Sequence, residues 1–139
     1  MNAYLFSDLK IGIKESFEIT ITQNMMDSFK DITGDVNPLH NDEVYAVQRG
    51  YPGRVCFGML TASLLSTFAG VYLPGEHCLI QEVETKFVKP VFAGDHLSVC
   101  GEIVETNDTV KQAVMKVVIK NQDDKKVLRA KMKVGFTNE

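Results

Sequence analysis

The sequence predicts an α+β domain in which an antiparallel sheet wraps around one central apolar helix. Three observations point to this. An alternating stretch near the start has the period of a half-buried strand, a later stretch is apolar around nearly its whole helical circumference, and the last sixty residues repeat a two-residue rhythm four times. With 139 residues the chain is long enough for one ordinary core and too short for two, so a single domain over 1–139 is expected.

Taken in order, Phe17, Ile19 and Ile21 alternate with polar partners in "SFEITIT" and mark the first strand. Thr22 or Asn24 can cap a helix in which Met25, Met26, Phe29 and Ile32 recur at three- and four-residue intervals up to Gly34, a natural C-terminal stop. After Pro38, "HNDEVYAVQRG" reads as a second short helix, with Asn41 as candidate cap, Asp42 and Glu43 in its first turn and Gly50 closing it. In "FGMLTASLLSTFAGVYLPG" the apolar residues cover almost every direction, so this helix is expected to be buried.

The period then changes. Leu79, Val83 and Phe87; Leu97, Val99 and Ile103; Ala113, Met115, Val117 and Ile119; and Leu128, Ala130, Met132, Val134 and Phe136 predict four strands. The short connections "FAGD", "TND" and "NQDDKK" favour antiparallel pairing. Pro90, which has no N–H to give a ladder, marks an edge, a bend or a strand end. This is the element order expected of a hotdog fold.

Composition narrows the function. The chain is 45% hydrophobic and 24% charged, which suits a globular protein, and its net charge of −3 argues against nucleic acid as a partner. The N-terminal residues lack the pattern of an export signal. The apolar segment near 55–73 is interrupted by Thr61, Ser63, Ser66, Thr67 and Gly70, so no membrane span is expected and the cytoplasm is the default location. Cys56, Cys78 and Cys100 form no CxxC pair, and His40, His77 and His96 lie apart, so neither a disulfide framework nor a metal site is expected.

Two readings compete for "TGDVNPLHND". As turn chemistry, Gly34 ends one helix, Asp35 and Asn37 form local turns, Pro38 stiffens the chain and Asn41 starts the next helix. As a site, Asp35 and His40 stand five positions apart across a proline-stiffened turn, where carboxylate and imidazole can converge and divide base and acid roles. Downstream, Gly58 opens the apolar helix. Its N–H has no partner within the helix and lies at the positive end of the dipole, suited to polarising a carbonyl oxygen, although a glycine there also permits close packing against the sheet.

"GDVNPLH", "FGMLTASLLS" and "KFVKPVFAGDHL", in this order and spacing, resemble the MaoC-like hotdog dehydratases and (R)-specific enoyl-CoA hydratases over nearly the whole chain. The resemblance implies that Asp35 and His40 are a catalytic pair adding water to the β-carbon of a trans-2-enoyl thioester. It implies that Asn37 orients the loop and that the Gly58 N–H binds the thioester oxygen. Ser63 falls at a family position near the site, and is equally an ordinary small residue of the helix. Phe57 departs from the family pattern, since many members have histidine there, and this bears on the lining near the thioester.

The resemblance further implies no cofactor beyond coenzyme A or an acyl carrier protein as the substrate's carrier, and a homodimer or higher homo-oligomer. Arg49, Arg54, Lys86 and Lys89 are candidates to meet the carrier's phosphates, or are solvated surface cations. Cys56 invites a nucleophile reading, but a lone cysteine beside phenylalanine is more often a small buried hydrophobe. The alternatives to a hydratase are a hotdog thioesterase and a non-catalytic acyl-thioester binding module.

Overall fold

The computed structural model describes residues 1–137. After a 3-10 turn at Phe6–Asp8, the chain forms β1 (Lys14–Thr20), α1 (Gln23–Thr33), α2 (Pro38–Asn41), α3 (Glu43–Gln48) and α4 (Gly58–Thr67). A π-helical turn at Phe68–Tyr72 follows, and then β2 (Cys78–Phe87), β3 (His96–Asn107), β4 (Gln112–Lys120) and β5 (Lys126–Phe136). The five strands form one antiparallel sheet in the order β1-β3-β4-β5-β2, with β1 and β2 at its edges. This is the hotdog architecture that the sequence predicts.

Turn residues set the central pairings. Asn107 Oδ1 accepts from the N–H groups of Thr109 and Val110 between β3 and β4, where Lys111 takes a φ of 51°. Asn121 Oδ1 does the same for Asp123 and Lys125 between β4 and β5, where Asp124 has φ 59°. With these turns fixed, the two-residue rhythm places Leu97, Val99, Ile103, Met115, Val117, Ile119, Leu128, Met132 and Val134 in one buried cluster with Leu60, Leu64, Leu65 and Phe68. Gly101 in β3 permits close approach of Phe68 to the sheet, because a Cβ there would stand 2.5 Å from Phe68 Cζ.

Four expectations change. The apolar helix is shorter than its pattern: α4 stops at Thr67, and Leu73 N–H then donates to Phe68 O, five residues back, at 2.9 Å. It is also not buried all round, since Met59 is 65% exposed and Ser63, Ser66 and Thr67 are exposed with it. One helix presents only part of its circumference to one sheet. In β2 the register shifts between Ile80 and Glu82, so Leu79 pairs with Gly135 while Ile80 pairs with Val134 and Val83 with Met132. Leu79 thus falls out of step with Val83 and Phe87. Finally, the single short helix expected after Pro38 is two, α2 and α3; Asn41 ends the first, and Asp42 caps the second, its carboxylate accepting from Tyr45 N–H at 3.1 Å.

Pro90 lies beyond the end of β2, in the connection to β3. Among the described residues, no helix is long and apolar enough to cross a membrane.

Candidate active site

The Asp35–Asn41 segment is built by local hydrogen bonds. Thr22 Oγ1 caps α1, accepting from Met25 N–H at 3.1 Å, and Gly34 ends that helix in the left-handed conformation at φ 72°. Asp35 N–H then donates to Thr33 Oγ1, Asp35 Oδ1 accepts from Asn37 N–H at 3.1 Å, and Asn37 Oδ1 caps α2 through Leu39 N–H at 2.9 Å. Asn41 Nδ2 donates back to the carbonyls of Asp35 (3.1 Å) and Asn37 (2.8 Å), cross-bracing the loop. The turn reading of this stretch is therefore sound, and the turn delivers His40 to a pocket.

His40 is partly buried in the only full turn of α2. Its Nδ1 lies 2.7 Å from Val55 O. A carbonyl only accepts, so Nδ1 carries the hydrogen and, in the neutral ring, Nε2 keeps its lone pair. The imidazole rests on Phe57, with ring centroids 4.5 Å apart at 31°, and Phe57 in turn meets Phe29 of α1 at 5.0 Å. Phe57 is buried and forms the wall behind His40 rather than part of the pocket lining.

The pocket has a volume of about 270 Å³, and His40, Gly58, Thr61, Phe87, Lys89 and Pro90 are among its lining residues. Leu60 and Thr61 N–H groups donate to Phe57 O, so the helical bonds of α4 begin past Gly58 and its own N–H has no partner within the helix. A Cβ on Gly58 would stand 3.1 Å from the Phe87 ring. Both readings of this glycine are thus compatible here: close approach to the sheet, and a free N–H at the pocket.

The other site candidates are placed differently. Asp35 is exposed and does not line this pocket, and Asn37 serves the loop. Ser63 Oγ donates to Leu60 O at 2.6 Å, and Ser63 lines a separate apolar groove with Met59, Ala62, Val83 and Phe87. Of the four cations, only Lys89 lines the pocket. Arg49 stacks over the Tyr45 ring at 4.4 Å, and Arg54 is engaged by Asp27 and His40. Cys56 also lines the pocket, but burial pushes its thiol up to about 11, so it is protonated and weakly nucleophilic at neutral pH. Among the described residues, no group of three or more His, Cys, Asp and Glu side chains could hold a metal ion.

Thr61 escaped the sequence reading. It is 3% exposed, lines the pocket, and lies 3.8 Å from Cys56 Sγ through its hydroxyl oxygen. Its signal was available: a hydroxyl three positions after Gly58 shares the face on which that helix opens.

Fold and pocket together define a hotdog domain in which a histidine of fixed tautomer and an open helix N-terminus face one cavity. The family model described as "MaoC like domain" matches residues 8–127, and the chain belongs to that family. It is 34% identical over 100 residues to a 3-hydroxybutyryl-CoA dehydratase of Methylorubrum extorquens, covering 72% of this chain and 64% of the relative. It is 34% identical over 92 residues to an (R)-specific enoyl-CoA hydratase of Rhodospirillum rubrum, covering 66% and 64%. The chain thus matches less than two thirds of the length of these two relatives. Among solved structures, an unliganded R-hydratase of Pseudomonas aeruginosa superposes with a TM-score of 0.90 at 28% identity, covering 96% of this chain and 86% of the other. An (R)-hydratase of Aeromonas caviae superposes with 0.88 at 26% identity, covering 92% and 97%.

Proposed function

We propose that this chain is a hydro-lyase that adds water reversibly to trans-2-enoyl thioesters, giving (R)-3-hydroxyacyl thioesters. The observation that carries the reading is the shared pocket of His40 and the Gly58 N–H, in a chain whose relatives bear hydratase and dehydratase names. With Nδ1 hydrogen-bonded to Val55 O, His40 Nε2 is the ring atom available to take a proton from water. The water oxygen bonds to the β-carbon and the π electrons of the double bond move toward the thioester oxygen. There the Gly58 N–H and the dipole of α4 stabilise the developing charge. A proton then reaches the α-carbon and the carbonyl re-forms.

Asp35 works with His40 in holding the water and handling these protons. One of its carboxylate oxygens is committed to Asn37 N–H; its place beside the water rests on the resemblance to the family, since Asp35 does not line the pocket of His40. The chemistry uses no cofactor beyond the carrier, coenzyme A or acyl carrier protein. Lys89, at the pocket, is the best-placed of the candidate cations to meet the carrier's phosphates.

The functional unit is a homodimer or larger homo-oligomer. The exposed face of α4 and the edge strand β2 leave Met59, Ile80, Val83 and Phe87 open beside an apolar groove of about 480 Å³, and a second copy would cover both edge and groove. Sedimentation as a monomer at micromolar concentration would contradict this.

The direct test is loss of the enoyl-thioester ultraviolet band on mixing the protein with crotonyl-CoA, with chiral analysis of the product. (R)-3-hydroxybutyryl-CoA is expected. Release of free thiol would instead indicate a thioesterase, and tight binding of a panel of enoyl thioesters without turnover would indicate a binding module.

A further inference from the structure

Consecutive residues of one segment grip His40 and its neighbour at three points. Val55 N–H donates to Leu39 O at 3.1 Å, His40 Nδ1–H donates to Val55 O at 2.7 Å, and Arg54 Nε–H donates to His40 O at 2.7 Å. The Arg54 guanidinium continues past the histidine, with Nη2 reaching Asp27 Oδ1 of α1 at 2.9 Å. Only 16% of the Arg54 side chain is exposed, against 51% for Asp27. The gripping segment is itself anchored beside the sheet, since Val55 bridges to Phe92 and Cys56 N–H donates to Val91 O at 2.7 Å.

We propose that Arg54 is a positioning residue for His40, and that Asp27 holds Arg54 in that role. The idea rests on the hydratase reading above. A helix of four residues such as α2 has too few internal hydrogen bonds to hold its own geometry, so the orientation of His40 must come from outside it. The Val55 carbonyl selects the tautomer, the Phe57 ring limits the tilt, and Arg54 fixes the backbone from which the ring projects. Arginine suits this position because its donors are spread over a rigid plane and can serve two acceptors in different directions. A lysine ammonium is a single point on a flexible stem and cannot bridge the carbonyl and the carboxylate in the same way.

Arg54 is also largely spoken for in its other reading, a contact to carrier phosphate. It lines a hollow with Gln23, Glu43, Pro52 and Phe92 rather than the pocket that His40 lines, and two of its three nitrogens are already committed. Positioning and substrate contact differ in what they change. Displacing a catalytic group lowers turnover with little effect on binding, and a misplacement of about 1 Å can cost up to about 10²-fold. Removing a phosphate contact raises KM and leaves kcat in place.

The test compares the wild type with Arg54→Met, Arg54→Lys and Asp27→Asn. It reads kcat and KM on crotonyl-CoA, the thermal midpoint, and the His40 tautomer by long-range proton–nitrogen NMR correlation. Arg54→Met should lower kcat about 10-fold or more with KM within about threefold, and should turn the single Nδ1–H tautomer into a mixture. Arg54→Lys should fail to restore either, and Asp27→Asn should give the same change in smaller degree. If Arg54→Met does not fold, Arg54→Lys and Asp27→Asn carry the test by the same readouts. Folded variants with unchanged kcat and tautomer would overturn the proposal, as would a raised KM at unchanged kcat. Absence of hydration by the wild type would instead overturn the hydratase reading, while the tautomer spectra would still decide whether Arg54 positions His40.

Discussion

The central strands β3, β4 and β5 and the segment from Thr33 to Gly58 are ordered in different ways. In the strands, every second side chain over most of their length is buried, and burial of Val99, Met115, Ile119, Leu128 and Met132 holds the pairing in register. In the segment, Asp35, Val36, Asn37 and Pro38 are all exposed. Order there comes from side chains bonded to backbone: Thr33, Asp35, Asn37, Asn41, Asp42 and Arg54. Stability resides mainly in the first region, and the candidate chemistry in the second. A polar loop held by hydrogen bonds can present an imidazole to a pocket, which a close-packed core cannot do without burying it.

The largest effect should fall on the segment and leave the sheet alone. His40→Ala is expected to cut crotonyl-CoA hydration by at least about 10²-fold, and Asp35→Asn to do the same. Because Asp35 is exposed, its variant should melt within a few degrees of the wild type. Near-normal hydration by folded Asp35→Asn would remove that carboxylate from the site and leave His40 with Gly58.

The converse substitution is Ile119→Ala in β4. It should cost about 2–5 kcal/mol in urea unfolding, through lost burial and the cavity left behind, while kcat per folded molecule stays unchanged. A matching loss of kcat would show that the two regions are coupled.

Next come the thiols. Burial pushes both Cys56 and Cys78 from about 9.0 up to about 11. Since the unfolded chain then loses these protons first, stability is full below about pH 9 and falls as pH rises toward about 11, by up to about 2–3 kcal/mol for buried Cys56 and by less for the more exposed Cys78, where solvent screens the effect. Replacing both by alanine should flatten that part of the pH–stability curve, and a curve unchanged by the replacement would show that other groups govern it. At pH 7, Cys56→Ala should retain turnover, because its thiol is protonated.

The smallest effect falls on the helix that adjoins the second region. Thr22 caps α1, which carries both Asp27 and Phe29, so Thr22→Ala should cost about 1 kcal/mol of stability. Activity should persist, and a loss of kcat beyond about twofold would mean that fraying of α1 reaches His40 through Arg54.

Much of this was legible from the chain alone. The alternation of the last four strands, the stop at Gly34 and the turn chemistry at Asn107 and Asn121 are local signals whose physics acts within a few residues. The loop that carries His40 was legible as both turn and site, and it is a turn. Less legible were the bulge that puts Leu79 out of step, the end of α4 at Thr67 and the exposed face of that helix, each of which depends on what lies opposite. Arg54 illustrates the limit most clearly. In sequence it is one cation among several; in space it joins Asp27, twenty-seven positions earlier, to the carbonyl of His40.

The sequence by itself determined the strands and their order, the buried face of β3, β4 and β5, and the residues able to do acid–base chemistry. These follow from periodicity, capping and side-chain type, which are properties of short stretches. Tertiary structure decided which of those residues share a pocket, which nitrogen of His40 carries its hydrogen, and which side of α4 stays open. Those outcomes rest on contacts between residues distant in the chain: the Val55 carbonyl on the imidazole, Phe87 over Gly58, and Asp27 on Arg54. Only the closing of the sheet on its helix fixes such distances.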